Sequence, residues 1–198
     1  PGSTIVCVGS GPSLTDADCR LVERAVVYHD VRVLAINNAW TAITADVLYA
    51  ADAKWWKWHG DVPDVQLPSY LFTMAPNARE HRPSVHVVRG TVSHGLESDP
   101  TGVATGGHGG YQAINLAVHL GAAHIILLGY DLQTGPAGQD HFHPPHPDNN
   151  HPTYVARRGV YATLLAPLQL AGVSIVNGSR ATAITAIPRL PLALALGV

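Results

Sequence analysis

Thr4-Ile5-Val6-Cys7-Val8 runs directly into Gly9-Ser10-Gly11-Pro12-Ser13-Leu14. The first five residues are largely apolar and β-branched, the composition of a strand buried on both faces, as in a parallel sheet. The glycines that follow let a backbone turn tightly and approach a ligand closely. From Leu14 to Val27, apolar residues recur at helical spacing (Leu14, Ala17, Leu21, Val22, Ala25). Pro12 suits a first helical turn, where its missing N–H is no loss. Strand, turn and helix in this order set free N–H groups and a helix dipole over the turn, which favours a phosphate. Gly9, Ser10, Gly11 and Ser13 are therefore candidate ligand contacts. The turn is not a full G-x-G-x-x-G and has no Walker lysine. A plain strand-to-helix connection would use the same residues.

The pattern continues along the chain. Val31 to Ile36 reads as a second strand and Ala39 to Ala45 as a short helix. Val47 to Ala50 reads as a third strand, and Ala53 to His59 as a helix carrying Trp55, Trp56 and Trp58. Gln66 to Ala104 is proline-rich without clear periodicity, with short strands expected at Tyr70-Leu71-Phe72 and Val85 to Val88. His108 to Leu120 reads as a helix, His124 to Leu128 as a buried strand, and Val173 to Val176 as the last strand. Thr153 to Ala171 reads as a helix that Pro167 kinks or interrupts. Alternating strands and helices imply an α/β, Rossmann-like fold: a mainly parallel sheet with helices on both faces. One domain over 4–198 is expected. Pro1-Gly2-Ser3 reads as a scar of tag removal. Residues 135–152 have no period and form a His/Pro-rich irregular loop, an active-site loop or lid.

Composition narrows the function. The 198 residues are 46% hydrophobic and only 13% charged, which suits a well-buried domain. A net charge of −2 provides no basic field for nucleic acid. No apolar run has the ~18 residues that span a bilayer. Cys7 and Cys19 make no disulfide framework, and Cys7 reads as an inert core thiol, consistent with a reducing cytoplasm. The apolar tail Leu190 to Leu196 would pack on a second copy, giving a homo-oligomer, or close the domain.

Further polar residues fall where ligands collect in such sheets, at the carboxyl ends of strands. Asn37 and Asn38 end the second strand, where paired amides can read a base or ribose or cap a helix. Asp52 ends the third strand and suits a sugar hydroxyl, a metal or a cap. Thr105-Gly106-Gly107-His108-Gly109-Gly110-Tyr111 opens a helix with bare backbone. Gly129-Tyr130-Asp131 ends another strand. His141, His143, His146 and His151 crowd the loop beyond. No Cys or Glu completes a zinc pattern there, and one His acting as general base is the simpler reading.

These motifs, in order, resemble a known family. Val8 to Leu14, Ile36-Asn37-Asn38, Thr105-Gly106-Gly107, Leu127 to Asp131 and His151 are similar to the bacterial lipooligosaccharide sialyltransferases. They also resemble the wider DUF115-like Rossmann group, which includes a hydroxymethylpterin diphosphokinase and phage-encoded proteins. The resemblance spans roughly residues 4–188. It implies a transferase, a glycosyltransferase using a nucleotide-sugar as substrate, with no tightly bound cofactor. It implies that Ser10, Gly11 and Asn37 or Asn38 hold the nucleotide, with Gly106 and Gly107 near the donor. His151 takes the place of the general base, and Tyr130 and Tyr154 are candidates for the tyrosines that steady the donor phosphate. Val176-Asn177-Gly178-Ser179 resembles a polar turn near the donor. The family usually carries Asn where this chain has Ser10. The pyrophosphokinase side of the group gives the alternative, Mg²⁺ held by Asp52 and Asp131; a non-catalytic nucleotide-binding protein is the third.

Overall fold

The central strands alternate strictly between two cores. We describe residues 2–145, 147 and 154–198 from a computed structural model. Strands β1 (Ser3–Val8), β2 (Val31–Ile36) and β3 (Val47–Tyr49) pair in parallel, followed outward by β4 (Tyr70–Thr73) and β5 (His86–Val87). Strands β6 (Arg89–Gly90) and β7 (Gly102–Val103) form a separate parallel pair. Strand β8 (Ala122–Leu128) then lies on the other side of β1, with β9 (Ser174–Asn177) beyond it. The seven-stranded order is β5-β4-β3-β2-β1-β8-β9, all parallel. This is the expected α/β, Rossmann-like architecture.

Side chains at successive positions point to opposite faces. Ile5, Cys7, Leu34, Ile36 and Tyr49 face one core, under α3 (Gly109–His119) and α5 (Ala162–Leu170). Val6, Val8, Val33, Ala35 and Leu48 face the other, under α1 (Asp16–Tyr28), α2 (Ala53–Trp58) and α6 (Leu192–Leu196). Trp55 and Trp56 are both buried in this second core, and Trp58 is half-buried. Cys7 is fully buried, and burial pushes its thiol up to about 12; it is the inert core thiol expected. In the apolar tail, Leu192 and Leu196 of α6 are buried against the second core, whereas Leu190 and Leu194 are exposed.

Several boundaries differ from expectation. The first strand begins at Ser3, and the Gly2 amide already donates to Gly121 O at 3.1 Å. Helix α1 starts at Asp16, not at Pro12. Thr15 caps it, and Asp18 reaches back to the Thr15 amide, completing a capping box. Pro12 instead sits in a turn closed by Leu14 N donating to Gly11 O at 3.1 Å. The short helix after β2 is a 3₁₀ turn over Asn37–Thr41. The late helix breaks at Gly159, a poor helix former: α4 (Tyr154–Arg158) passes through a 3₁₀ turn, Gly159–Tyr161, into α5. Pro167 is carried inside α5. Among the described residues, no helix is long and apolar enough to cross a membrane.

Candidate functional site

The order of the strands places a crevice. From β1 the chain moves outward to β5, then returns to β8 on the opposite flank of β1. Ligands of open α/β sheets bind at this switch point, outside the carboxyl ends of the strands. A cavity of about 350 Å³ lies there, within the usual range for ligand pockets. Of the residues singled out in the sequence, Gly9, Ser10, Gly11, Asn37, Asp52, Gly107, Tyr130 and Asp131 line it. Asn38, Ser13 and Gly106 do not.

The first glycine-rich turn plays a different part from the one its composition suggests. Gly9 N donates to Leu128 O at 2.7 Å, Gly11 N to Gly129 O at 2.8 Å, and Ser13 N to Asp131 Oδ2 at 2.7 Å. With Leu14 bonded to Gly11, most amides of this loop serve the protein itself. A Cβ on Gly11 would lie 2.4 Å from Asp131 Oδ1 and 2.5 Å from Gly129 O. The glycines therefore let the β1 loop press against the β8 loop. The start of α1 is closed to an anion as well, because Thr15 caps it and Asp16 and Asp18 fill its first turn.

Asp131 is the pin of this junction. It is 1% exposed and accepts both the Ser13 amide and, at 2.8 Å, the Ser13 hydroxyl. Burial raises its pKa, against the lowering effect of the two Ser13 bonds. Asp52 is exposed and does not cap α2 with its side chain. As a pair, Asp52 and Asp131 do not fit Mg²⁺. Both Asp131 oxygens already accept Ser13 donors, and its surroundings disfavour the charge that a metal ligand needs. Among the described residues, no group of three or more His, Cys, Asp or Glu is placed to hold a metal ion.

The remaining sequence candidates divide in the same way. Asn37 adopts φ 50° and faces the cavity, whereas Asn38 Oδ1 accepts the Trp55 indole N–H at 2.7 Å and so fixes α2. The Tyr130 hydroxyl donates to Gly110 O at 3.0 Å, and the Tyr154 hydroxyl to Asp140 O at 2.9 Å. Asn177 and Ser179 lie behind the site: Ser179 Oγ accepts the Tyr130 amide at 2.9 Å, and Asn177 Oδ1 the Ser179 amide at 2.9 Å. From the His/Pro-rich loop, Asp140 and His141 line the cavity, and Phe142 N donates to Ser10 O at 3.2 Å. His146 and His151 lie outside the described residues.

Tyr161, His108 and Arg157 are among the lining residues that the sequence did not single out for chemistry. Tyr161 is fully buried, yet among the described residues its hydroxyl has no hydrogen-bond partner. His108, the N-cap residue of α3, makes no side-chain cap, and its buried Nε2 is likewise unpartnered. The two rings pack with centroids 5.4 Å apart. Arg157 of α4 lines the same wall. Burial first, then the Arg157 charge, lowers the His108 pKa to about 4. Only His108 stood within a quoted motif; Tyr161 and Arg157 look in the sequence like ordinary residues of a helix.

A neutral, half-buried histidine has a measurable consequence. Below its ordinary value near ~6.5 the unfolded chain takes up a proton that folded His108 refuses until about pH 4. Its contribution to stability is therefore complete above ~6.5 and is lost as the pH falls toward 4. Urea unfolding at pH 7.5 and pH 5 should show a loss of roughly 2 kcal/mol attributable to His108. The same drop in His108→Gln would contradict this assignment.

No family model, curated protein or solved structure matches the chain.

Proposed function

We propose that the chain is a transferase that binds a nucleotide-activated donor in the switch-point cavity, most closely a sialyltransferase-like glycosyltransferase. The observation that carries this reading is the cavity itself, with the ends of β1, β2, β3 and β8 on one side and the bare start of α3 on the other. Asn37 and Asp52 suit the nucleoside, whose base edge and ribose hydroxyls need an amide and a carboxylate. Glycine backbone at Gly107, Gly109 and Gly110 suits the phosphate end. His151 serves as general base through the resemblance alone. It takes the acceptor hydroxyl proton as that oxygen bonds to the donor carbon, and the nucleotide leaves with the electrons of the broken C–O bond.

The test is a thermal-shift panel of nucleotides and nucleotide-sugars, followed by turnover assays on whichever donor stabilises. A donor at 100 times its Kd adds about 2.7 kcal/mol, a rise of roughly 5–10 °C for a chain of this size. His151→Ala should keep the shift and lose the turnover. A flat panel would overturn the reading, and full turnover in His151→Ala would remove the base from it.

A further inference from the structure

Buried polar groups in folded proteins nearly always have partners, and an exception calls for an explanation. Here two exceptions share one wall. The Tyr161 hydroxyl, on a side chain with no exposed surface, and the buried Nε2 of His108 both line the cavity without a partner among the described residues. The Tyr161 hydroxyl and the other ring nitrogen of His108, Nδ1, come together over Gly110. A Cβ placed on that glycine would lie 3.2 Å from Tyr161 Oη and 3.3 Å from His108 Nδ1. Gly109 and Gly110 are the first two residues of α3, an 11-residue helix, so their amides belong to the orphan donors of a helix start. Arg157 supplies a positive charge to the same wall.

We infer that this wall is a subsite for a phosphate-type oxyanion, bound by Tyr161 Oη, Arg157, the first amides of α3 and His108, and that His108 takes up a proton as the anion enters. The inference rests on the cavity being the ligand site and adds the chemistry of its anionic end.

The proton follows from the surroundings of His108. Without the anion, burial and the Arg157 cation keep the ring neutral. The other ionisable groups lining the cavity are Tyr130, Tyr154, Tyr161, His141 and the carboxyl groups of Asp52, Asp131 and Asp140. An oxyanion against the ring reverses the local balance, because an opposite charge favours the protonated form. Protonated, His108 donates from both ring nitrogens, whereas the neutral ring keeps one of them as an acceptor that would face the anion with its lone pair. Binding and proton uptake are then linked, and each strengthens the other.

Sulfate is the probe, since it keeps one charge state between pH 5 and pH 8. Its binding to the full chain is followed by titration calorimetry at several pH values, in two buffers of different ionisation enthalpy. We expect net uptake of about one proton, and an affinity that rises up to about tenfold per pH unit as the pH falls. His108→Gln should bind sulfate with little pH dependence. Tyr161→Phe, which removes only an unpartnered hydroxyl, should fold normally and bind at least several-fold more weakly. Sulfate affinity that is level in pH, or unchanged in Tyr161→Phe, overturns the inference, as does no binding at pH 5. If nucleotide donors stabilise the chain while sulfate shows no proton linkage, this inference fails and the proposed function stands. If sulfate binds with proton uptake and no nucleotide stabilises, the reverse holds.

Discussion

Gly129→Ala is expected to destabilise the chain by roughly 2–5 kcal/mol and to abolish binding in the cavity. Gly129 follows β8 with φ +67°, a region that other L-residues adopt at a cost. A Cβ there would lie 2.5 Å from Gly9 O and 3.1 Å from Gly9 C. Both are backbone atoms, so no side chain can rotate away. Relief requires parting the β1 and β8 loops, which breaks the bonds of Gly9 to Leu128 and of Gly11 to Gly129 and opens the cavity floor. Gly138→Ala is the matched control: its φ is +78°, but nothing lies within 4 Å of the added methyl group. Thermal melts should place Gly129→Ala roughly 5–15 °C below the parent, with Gly138→Ala much nearer to it. Equal melts for the two variants would show that the close approach does not matter.

Arg82→Met is expected to cost about 3 kcal/mol. Arg82 is 7% exposed, and its guanidinium gathers the loop after α2. One terminal nitrogen donates to the carbonyls of His59, Gly60 and Val62, at 3.2, 3.1 and 2.7 Å, while the other pairs with Asp64. Removing the guanidinium leaves the Gly60 and Val62 carbonyls without a donor, at about 1–1.5 kcal/mol each, while the His59 carbonyl keeps the Val62 amide. The Asp64 side chain is 79% exposed, so Asp64→Asn should change stability by less than about 1 kcal/mol. Urea unfolding of both variants distinguishes a carbonyl clamp from an ion pair. A larger loss in Asp64→Asn than in Arg82→Met would reverse that assignment.

Arg82 also shows where sequence reading ends. The strands β1, β2 and β8 announce themselves because burial on both faces forces a continuous run of apolar residues. Gln66 to Ala104 carries no such period. Its order comes from single side chains reaching distant backbone: Arg82 to the 59–62 loop, Asn115 Oδ1 to the amides of Glu97 and Ala104, and Tyr111 to Gly95. Bonds of that kind leave no repeat in the sequence. The site divides along the same line. Positions at strand ends, such as Gly9, Asn37, Asp52 and Gly129, follow from topology alone. Whether a polar group faces the ligand or a neighbour does not, which is why Ser13 and Asn38 turned out to brace the fold. Tyr161 enters the wall because the late helix breaks at Gly159, a break that the sequence pattern assigns to Pro167.

The return of the chain to β8 has a consequence for synthesis. Val6 pairs with Ile126, 120 residues later in the chain. As the polypeptide leaves the ribosome, β1 can pair with β2 early, but its other edge waits until most of the molecule has emerged. Such long-range pairing slows folding and leaves an unpaired edge exposed meanwhile. Met74, Gly107, Gly129 and Tyr161 meet around the cavity only after that late insertion. A nascent chain therefore has no competent site to offer a ligand until the final third of the protein is in place, and a ligand can rescue only chains that have already completed the sheet.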